Sequence, residues 1–253
     1  MDNRDVVIDK KLFDQTFPLL DKFKDIAPGT FKHCQNVSNM CETVAIELDL
    51  NVELLKLSAL YHDIGKMNNP LYFAENQGDE NIHDDMDPNI SYQIISRHVG
   101  DSIIYLLQIP DLPTEVIRII SQHHGDTVLQ AFHNKAKNMP EDKFRYKCSK
   151  PISSEALILM LCDSVEATTR AMFNSGDKDS FIENAVSSTI DRLMNDHQLD
   201  NMRIGTLNIT RKILLKELES IYHKRVIYDD KTIGEENAKK NGKKNGDKIA
   251  ESV

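Results

Sequence analysis

His62 and Asp63 stand side by side in Tyr61-His-Asp-Ile-Gly-Lys66, at the end of an apolar stretch. The pair offers a neutral nitrogen donor and a carboxylate that can bridge two metal ions from one point of the backbone. It has company in His33 upstream and in His98, His123-His124 and Asp163 downstream, each on or beside a segment with helical periodicity. Imidazole and carboxylate without thiolate suit Fe, Mn, Co or Zn acting on an oxygen-rich substrate. Each residue taken alone also has an ordinary explanation. A single His on an apolar helix is usually a hydrogen-bonded core or surface residue, and His123-His124 could simply close a helix C-terminus. Asp163, flanked by Leu161, Cys162 and Val165, needs a cation or a basic partner if its face is internal.

The elements that must bring these side chains together read as helices, with alternating strand patterns scarce. Phe13 to Phe23 forms a short entry helix, interrupted or restarted at Pro18. Thr30, after Pro28-Gly29, is the expected N-cap of the helix carrying His33, on which Val37, Met40, Cys41, Val44 and Leu48 follow three- and four-residue spacing. Asn51 to Ile64 is the next helix, ended by Gly65, which puts His62 and Asp63 in its last turn. Residues 66–87 form a long polar loop of a kind that often serves as a lid or binding edge. Further helices are expected over Pro88–Val99, Thr114–His124 with Thr114 as N-cap and Gly125 as terminator, and Thr127–Asn138. Ser153–Arg170, Phe181–Met194 and Ile209–Ile221 complete an all-α chain. Residues 1–26 are read as an N-terminal entry helix or extension and 27–228 as the main domain. Residues 229–253, with a repeated Lys-Lys-Asn-Gly unit, are read as a disordered tail.

The 253 residues are 40% hydrophobic and 28% charged, ordinary values for a soluble globular protein. A net charge of −9 with no Trp and 6% aromatics disfavours both a phosphate-backbone binder and a stacking platform for single strands. A small anionic ligand stays open, because bound metal ions would reverse the local field. No apolar run is long enough to span a membrane, and the opening Met-Asp-Asn-Arg-Asp has no apolar core of a signal peptide. Cys34, Cys41, Cys148 and Cys162 form no CxxC pair and are expected to be reduced, so the chain reads as cytoplasmic.

The order His…His-Asp…His…His-His…Asp resembles that of the HD-domain superfamily of metal-dependent phosphohydrolases. Several segments narrow the likeness: Thr30-Phe-Lys-His-Cys-Gln-Asn-Val-Ser, Ala59-Leu-Tyr-His-Asp-Ile-Gly-Lys66, Phe73-Ala-Glu-Asn-Gln77, Ile120-Ser-Gln-His-His-Gly125, Phe144-Arg-Tyr146, Lys150-Pro151, Met160-Leu-Cys-Asp-Ser-Val-Glu-Ala167 and Gln198-Leu-Asp200. Over residues 27–228 they resemble the cytoplasmic HD domain of the seven-transmembrane HD, or PgpH-type, cyclic di-AMP phosphodiesterases. Two departures stand out: those relatives carry a membrane region before the domain, and Asp126 follows the paired histidines here. The first leaves a free-standing relative or a separate domain as alternatives.

The resemblance implies an all-α HD helical bundle with two divalent metal ions, most suitably Fe or Mn, sharing Asp63. His33, His62 and Asp163 would surround the first ion, and His98 with His123 or His124 the second. A hydroxide bridging the ions would then hydrolyse cyclic di-AMP to linear pApA. Asp63 and Lys66 are the implied catalytic residues, and Lys66, Tyr72, Arg145 and Tyr146 the residues offered to the substrate. A solvated lysine, a structural arginine and loop-anchoring tyrosines are their ordinary alternatives. Other readings are another cyclic dinucleotide, an oligonucleotide or a nucleoside phosphate as substrate, or a nucleotide-binding sensor without catalysis. Exposed leucines in the C-terminal helices leave a homodimer open.

Overall fold

The computed structural model describes residues 3–78, 80–136, 138–176 and 180–222. The 229–253 stretch and His223 lie outside the described residues. Among the described residues eight named helices run in the order α1 (Pro18–Ile26), α2 (Pro28–Glu47), α3 (Val52–Tyr61), α4 (Pro88–Leu106), α5 (Thr114–Ile120), α6 (Gln130–Lys135), α7 (Ser154–Asn174) and α8 (Phe181–Asn195). Residues 204–222 add a further helical segment. Among the described residues no helix is long and apolar enough to cross a membrane.

The core follows from the spacing. On α2, Val37, Met40, Cys41 and Val44 are fully buried, and the helix packs against both α3 and α7. α7 is buried over most of its first three turns because it has neighbours on several sides: α2, α3, α5 and α8. A fully buried Leu or Val of this set stabilises the fold by about 1.5–3 kcal/mol. The N-terminal residues belong to the same core, since Ile8, Leu12, Leu20 and Phe23 are buried within it. Polar ties fix them. Tyr61 donates its hydroxyl proton to the Leu12 carbonyl at 2.8 Å, and the Asn51 amide donates to the carbonyls of Asn3 (2.9 Å) and Val6 (2.7 Å). The four cysteines are free.

Several boundaries differ from the sequence expectation, each for a local reason. α1 starts at Pro18 itself, with the proline in the first turn where its missing N–H costs nothing. α2 likewise begins at Pro28, so Thr30 is inside the helix and is not its N-cap. Its hydroxyl instead donates to Glu75 at 3.0 Å. α3 stops at Tyr61, and Gly65 lies in a following 3-10 segment, Ile64–Asn68. α4 runs through Gly100 to Leu106, burying Asp101, Ser102 and Leu106 beyond the expected end. α5 is shorter than expected, capped from Pro113 and continued by turns in which Gly125 takes φ +54°. The helix expected over Thr127–Asn138 is present but shorter, over Gln130–Lys135, and starts late because Val128 pairs with Arg145 in an isolated antiparallel bridge. The 66–87 loop is a chain of 3-10 turns over Ile64–Asn68, Pro70–Tyr72, Ala74–Asn76 and Ile82–Asp84.

Candidate metal centre

Five segments converge on one buried point. His33 comes from the inner face of α2, His62 and Asp63 from the turn leaving α3, and His98 from the middle of α4. His123 and His124 come from the turns after α5, and Asp163 from the centre of α7. All are buried except His124, which is half-buried. The ligand atoms fall into two groups, each within 4.8 Å internally: His33, His62, Asp63 and Asp163, and Asp63, His98, His123 and His124. Asp63 is the member common to both. Its Oδ2 faces His62 Nε2 at 3.2 Å and His33 Nε2 at 3.7 Å, while its Oδ1 faces His98 Nε2 at 3.1 Å and His123 Nε2 at 3.7 Å.

The backbone settles which nitrogen each ring presents. His62, His98 and His123 each donate from Nδ1 to the carbonyl three residues earlier, to Ala59 at 2.7 Å, Ile95 at 2.6 Å and Ile120 at 2.6 Å. Each ring therefore turns its other nitrogen, Nε2, inward. His98 Nε2 lies 3.4 Å from His123 Nε2 and 3.2 Å from His124 Nε2. Lone pairs so close repel unless a proton or a cation stands between them. His62 Nε2 and Asp63 Oδ1 are buried without a hydrogen-bond partner, which is the condition a metal ion would relieve. The donor set thus fits a divalent cation held by nitrogen and oxygen.

Electrostatics point the same way. Burial opposes charge on Asp63, yet His62 and Lys66 outweigh it and hold the carboxyl well below its usual range. Asp163 is held down likewise, against burial, by His33 and His62. Burial disfavours the His33 cation, but Glu166 and Asp163 overcome it and raise its pKa to about 10. His123 and His124 are pushed down by burial and by neighbouring histidines, and so stay neutral.

Glu166, within the Asp163-Ser-Val-Glu-Ala167 segment, adds a functional residue that the motif order alone does not reveal. It stands three residues after Asp163 on α7, hence on the same face, and meets His33 Nδ1 at 2.5 Å. Asn36 donates to its other oxygen at 3.0 Å. The carboxylate fixes the His33 ring so that Nε2 points at Asp163, 3.0 Å away. Glu166→Gln is expected to weaken divalent-metal affinity by about 10- to 100-fold with little change of fold, measured by metal titration of the chelator-treated protein. Unchanged affinity would show that α2 alone orients the ring.

Lys66 is buried and touches two carboxylates, Asp63 Oδ2 at 2.7 Å and Glu75 Oε1 at 2.8 Å. Its ammonium also lies 4.8 Å from the centre of the Phe73 ring. Glu75 and Asn76 clamp the loop onto the first turn of α2. Besides the Thr30 hydroxyl bond to Glu75, Asn76 accepts from the Thr30 N–H at 3.1 Å and donates to the Thr30 hydroxyl at 2.7 Å. Tyr146 is buried, with its ring stacked on His124 at 4.4 Å. The Thr127–Tyr146 backbone bond at 2.9 Å holds that stack in place.

A cavity of about 270 Å³ opens over the centre, lined by His33, Lys66, Phe73, His98, Tyr146, Asp163 and Arg192 among others. Tyr72 and Arg145 are not in its lining. Tyr72 gives its carbonyl to His83 at 2.8 Å, while Arg145 pairs with Glu141 at 2.5 Å and Asp196 at 2.9 Å. Asp126 turns to Gln198 at 2.7 Å and Lys150 at 3.7 Å, so its visible partners are an amide and an ammonium.

This convergence of five segments, three on helices and two on the turns that leave helices, defines a class. The HD domain family matches residues 30–168, and the chain belongs to it. It is similar to the cyclic-di-AMP phosphodiesterase PgpH of Bacillus subtilis, at 35% identity over 229 residues, covering 88% of this chain and 32% of that protein. The chain therefore spans about a third of the length of that curated relative. Among solved structures it matches the HD domain of Listeria monocytogenes phosphodiesterase PgpH, with TM-score 0.77, 36% identity and coverage of 82% of this chain and 100% of that one. The same domain in complex with cyclic-di-AMP gives TM-score 0.74 at 35% identity, covering 81% and 97% of the two chains.

Proposed function

We propose that the protein is a metal-dependent phosphodiesterase that opens cyclic di-AMP to linear pApA. The observation that carries this reading is the pair of ligand groups sharing Asp63 on the floor of an open cavity. The similarity to relatives named for that reaction, one of them solved with cyclic-di-AMP, supports the choice of substrate. His33, His62 and Asp163 with Asp63 would hold one divalent ion, and Asp63 with His98, His123 and His124 a second. Fe or Mn suits this donor set best. When bound, two such ions supply Lewis acidity to the phosphate oxygens and lower the pKa of water toward neutrality.

The chain's own residues supply the rest. Asp63 and Asp163 provide the negative charge that concentrates cations here, in a site whose burial strengthens every such interaction. Lys66 keeps Glu75 as a partner at 2.8 Å when the Asp63 oxygens are engaged elsewhere. Its ammonium then stands beside the cavity as a fixed charge for a phosphate oxygen. Tyr146 and Phe73 form apolar walls against which a purine can lie. Tyr72 and Arg145 act from behind these walls, Arg145 by fixing the segment that carries Tyr146.

The test is turnover of cyclic di-AMP, cyclic di-GMP, short oligonucleotides and nucleoside monophosphates by protein loaded with Mn²⁺ or, anaerobically, Fe²⁺. The expected result is pApA from cyclic di-AMP. Cleavage of mononucleotides alone would overturn the substrate. Tight binding without hydrolysis under every metal would make the domain a sensor.

A further inference from the structure

Three cations line the cavity, and two are already committed. Lys66 is held by Asp63 and Glu75 at 2.7 and 2.8 Å. Arg170 lies between Glu75 Oε2 and Glu166 Oε2, each at 3.6 Å. Arg192 is different. It lines the cavity from the last turn of α8, is exposed, and has no ion pair or side-chain hydrogen bond among the described residues. Asp196, the carboxylate whose charge acts on it most, is taken by Arg145 at 2.9 Å.

The packing of α7 and α8 locates this guanidinium relative to the metal centre. Thr189 donates to Thr168 across the helix pair at 3.1 Å. Thr189 and Arg192 are three apart on α8 and share a face. Thr168 is five residues beyond Asp163, roughly 7–8 Å along α7. Ser164, Ala167 and Thr168, none of them charged, line the cavity between the two points. The cavity thus carries a cation site at one end and a free guanidinium about one and a half helical turns away, joined by a neutral floor.

A cyclic dinucleotide carries two phosphodiesters, and the metal centre can engage only the one it cleaves. The second is an anion brought into a cavity whose walls include Glu75 and Asp163, and it needs its own counter-charge. We infer that Arg192 is the anchor for the second, non-scissile phosphate of the substrate. This rests on the reading of the protein as a cyclic-dinucleotide phosphodiesterase. A guanidinium suits the task, since its paired N–H groups match two phosphate oxygens at once. It predicts that Arg192 selects for the two-phosphate ring and not for the identity of the base.

The test uses the metal-loaded chain with Arg192→Ala and Arg192→Lys, assayed on cyclic di-AMP, on cyclic di-GMP and on bis(p-nitrophenyl) phosphate, which has one phosphodiester. Arg192→Ala is expected to raise KM for cyclic di-AMP by about tenfold or more, the equivalent of one charge-assisted hydrogen-bond pair, with kcat changed less than about threefold. Arg192→Lys recovers part of the loss. The fall in kcat/KM on bis(p-nitrophenyl) phosphate is expected to be several times smaller. Equal losses on the one- and two-phosphate substrates would overturn the anchor, as would no loss at all. A loss on cyclic di-AMP without a matching relative loss on cyclic di-GMP would assign Arg192 to the base and also overturn it. If the unsubstituted protein cleaves bis(p-nitrophenyl) phosphate but no cyclic dinucleotide, the substrate reading fails on its own evidence and takes the anchor with it.

Discussion

Asp63→Ala is expected to lower turnover of cyclic di-AMP by about a thousandfold or more, and to remove metal from both ligand groups at once. No other ligand has that reach. His33, His62 and Asp163 belong to one group and His98, His123 and His124 to the other, while Asp63 gives one oxygen to each. His98→Ala should therefore lose metal mainly from its own group. The variant should still fold. Lys66 loses its 2.7 Å partner but keeps Glu75 at 2.8 Å, so the buried ammonium is not orphaned. The cost of breaking one buried pair is about 3 kcal/mol in such settings, which a thermal melt would register beside the metal analysis. An Asp63→Ala protein that keeps both its metal content and its turnover would sink the assignment of a shared bridging carboxylate.

How far the sequence reaches is clearest at this residue. The adjacency of His62 and Asp63 is printed in the chain, but alone it is a common dipeptide. The convergence of five segments depends on packing angles that no spacing rule supplies, and the resemblance of ordered motifs carried that step. Glu166 shows what was readable and went unused. Its position three after Asp163 puts it on the ligand face of α7, and a buried carboxylate there needs a partner such as the His33 ring. Arg192 had no such signal, because its place is set by how α8 lies on α7. Helix identities were largely legible from periodicity. The helix expected over Thr127–Asn138 starts later than its spacing suggests, because amphipathic spacing cannot anticipate the bridge between Val128 and Arg145, which a distant segment provides. Gly65 reads in sequence as a helix terminator, and its role is instead steric.

That role gives the second large expectation. A methyl group on Gly65 would stand 2.2 Å from the carbonyl oxygen of His98, 2.4 Å from the Ser102 nitrogen and 2.9 Å from the Asp101 carbonyl carbon. All three atoms are backbone of α4, so no side chain can rotate away to make room. Gly65→Ala must push α4 from the turn that carries His62 and Asp63. It would also stretch two bonds that now lock them together, the Gly65 N–H to the Ser102 hydroxyl at 2.9 Å and that hydroxyl to the His62 carbonyl at 2.8 Å. Ser102→Ala removes those bonds without the collision and isolates their share, about 1 kcal/mol each. The collision should cost about 3 kcal/mol or more beyond that, or roughly 6–12 °C in Tm for a domain of this size. Activity should suffer out of proportion to stability. His98 rides on the displaced helix, and a misplacement near 1 Å in a reacting constellation costs about a hundredfold. The signature is selective: metal held by His98, His123 and His124 is lost before metal held by His33, His62 and Asp163. Equal weakening of both groups would instead mean that the Gly65 contact supports the fold as a whole and has no special hold on α4.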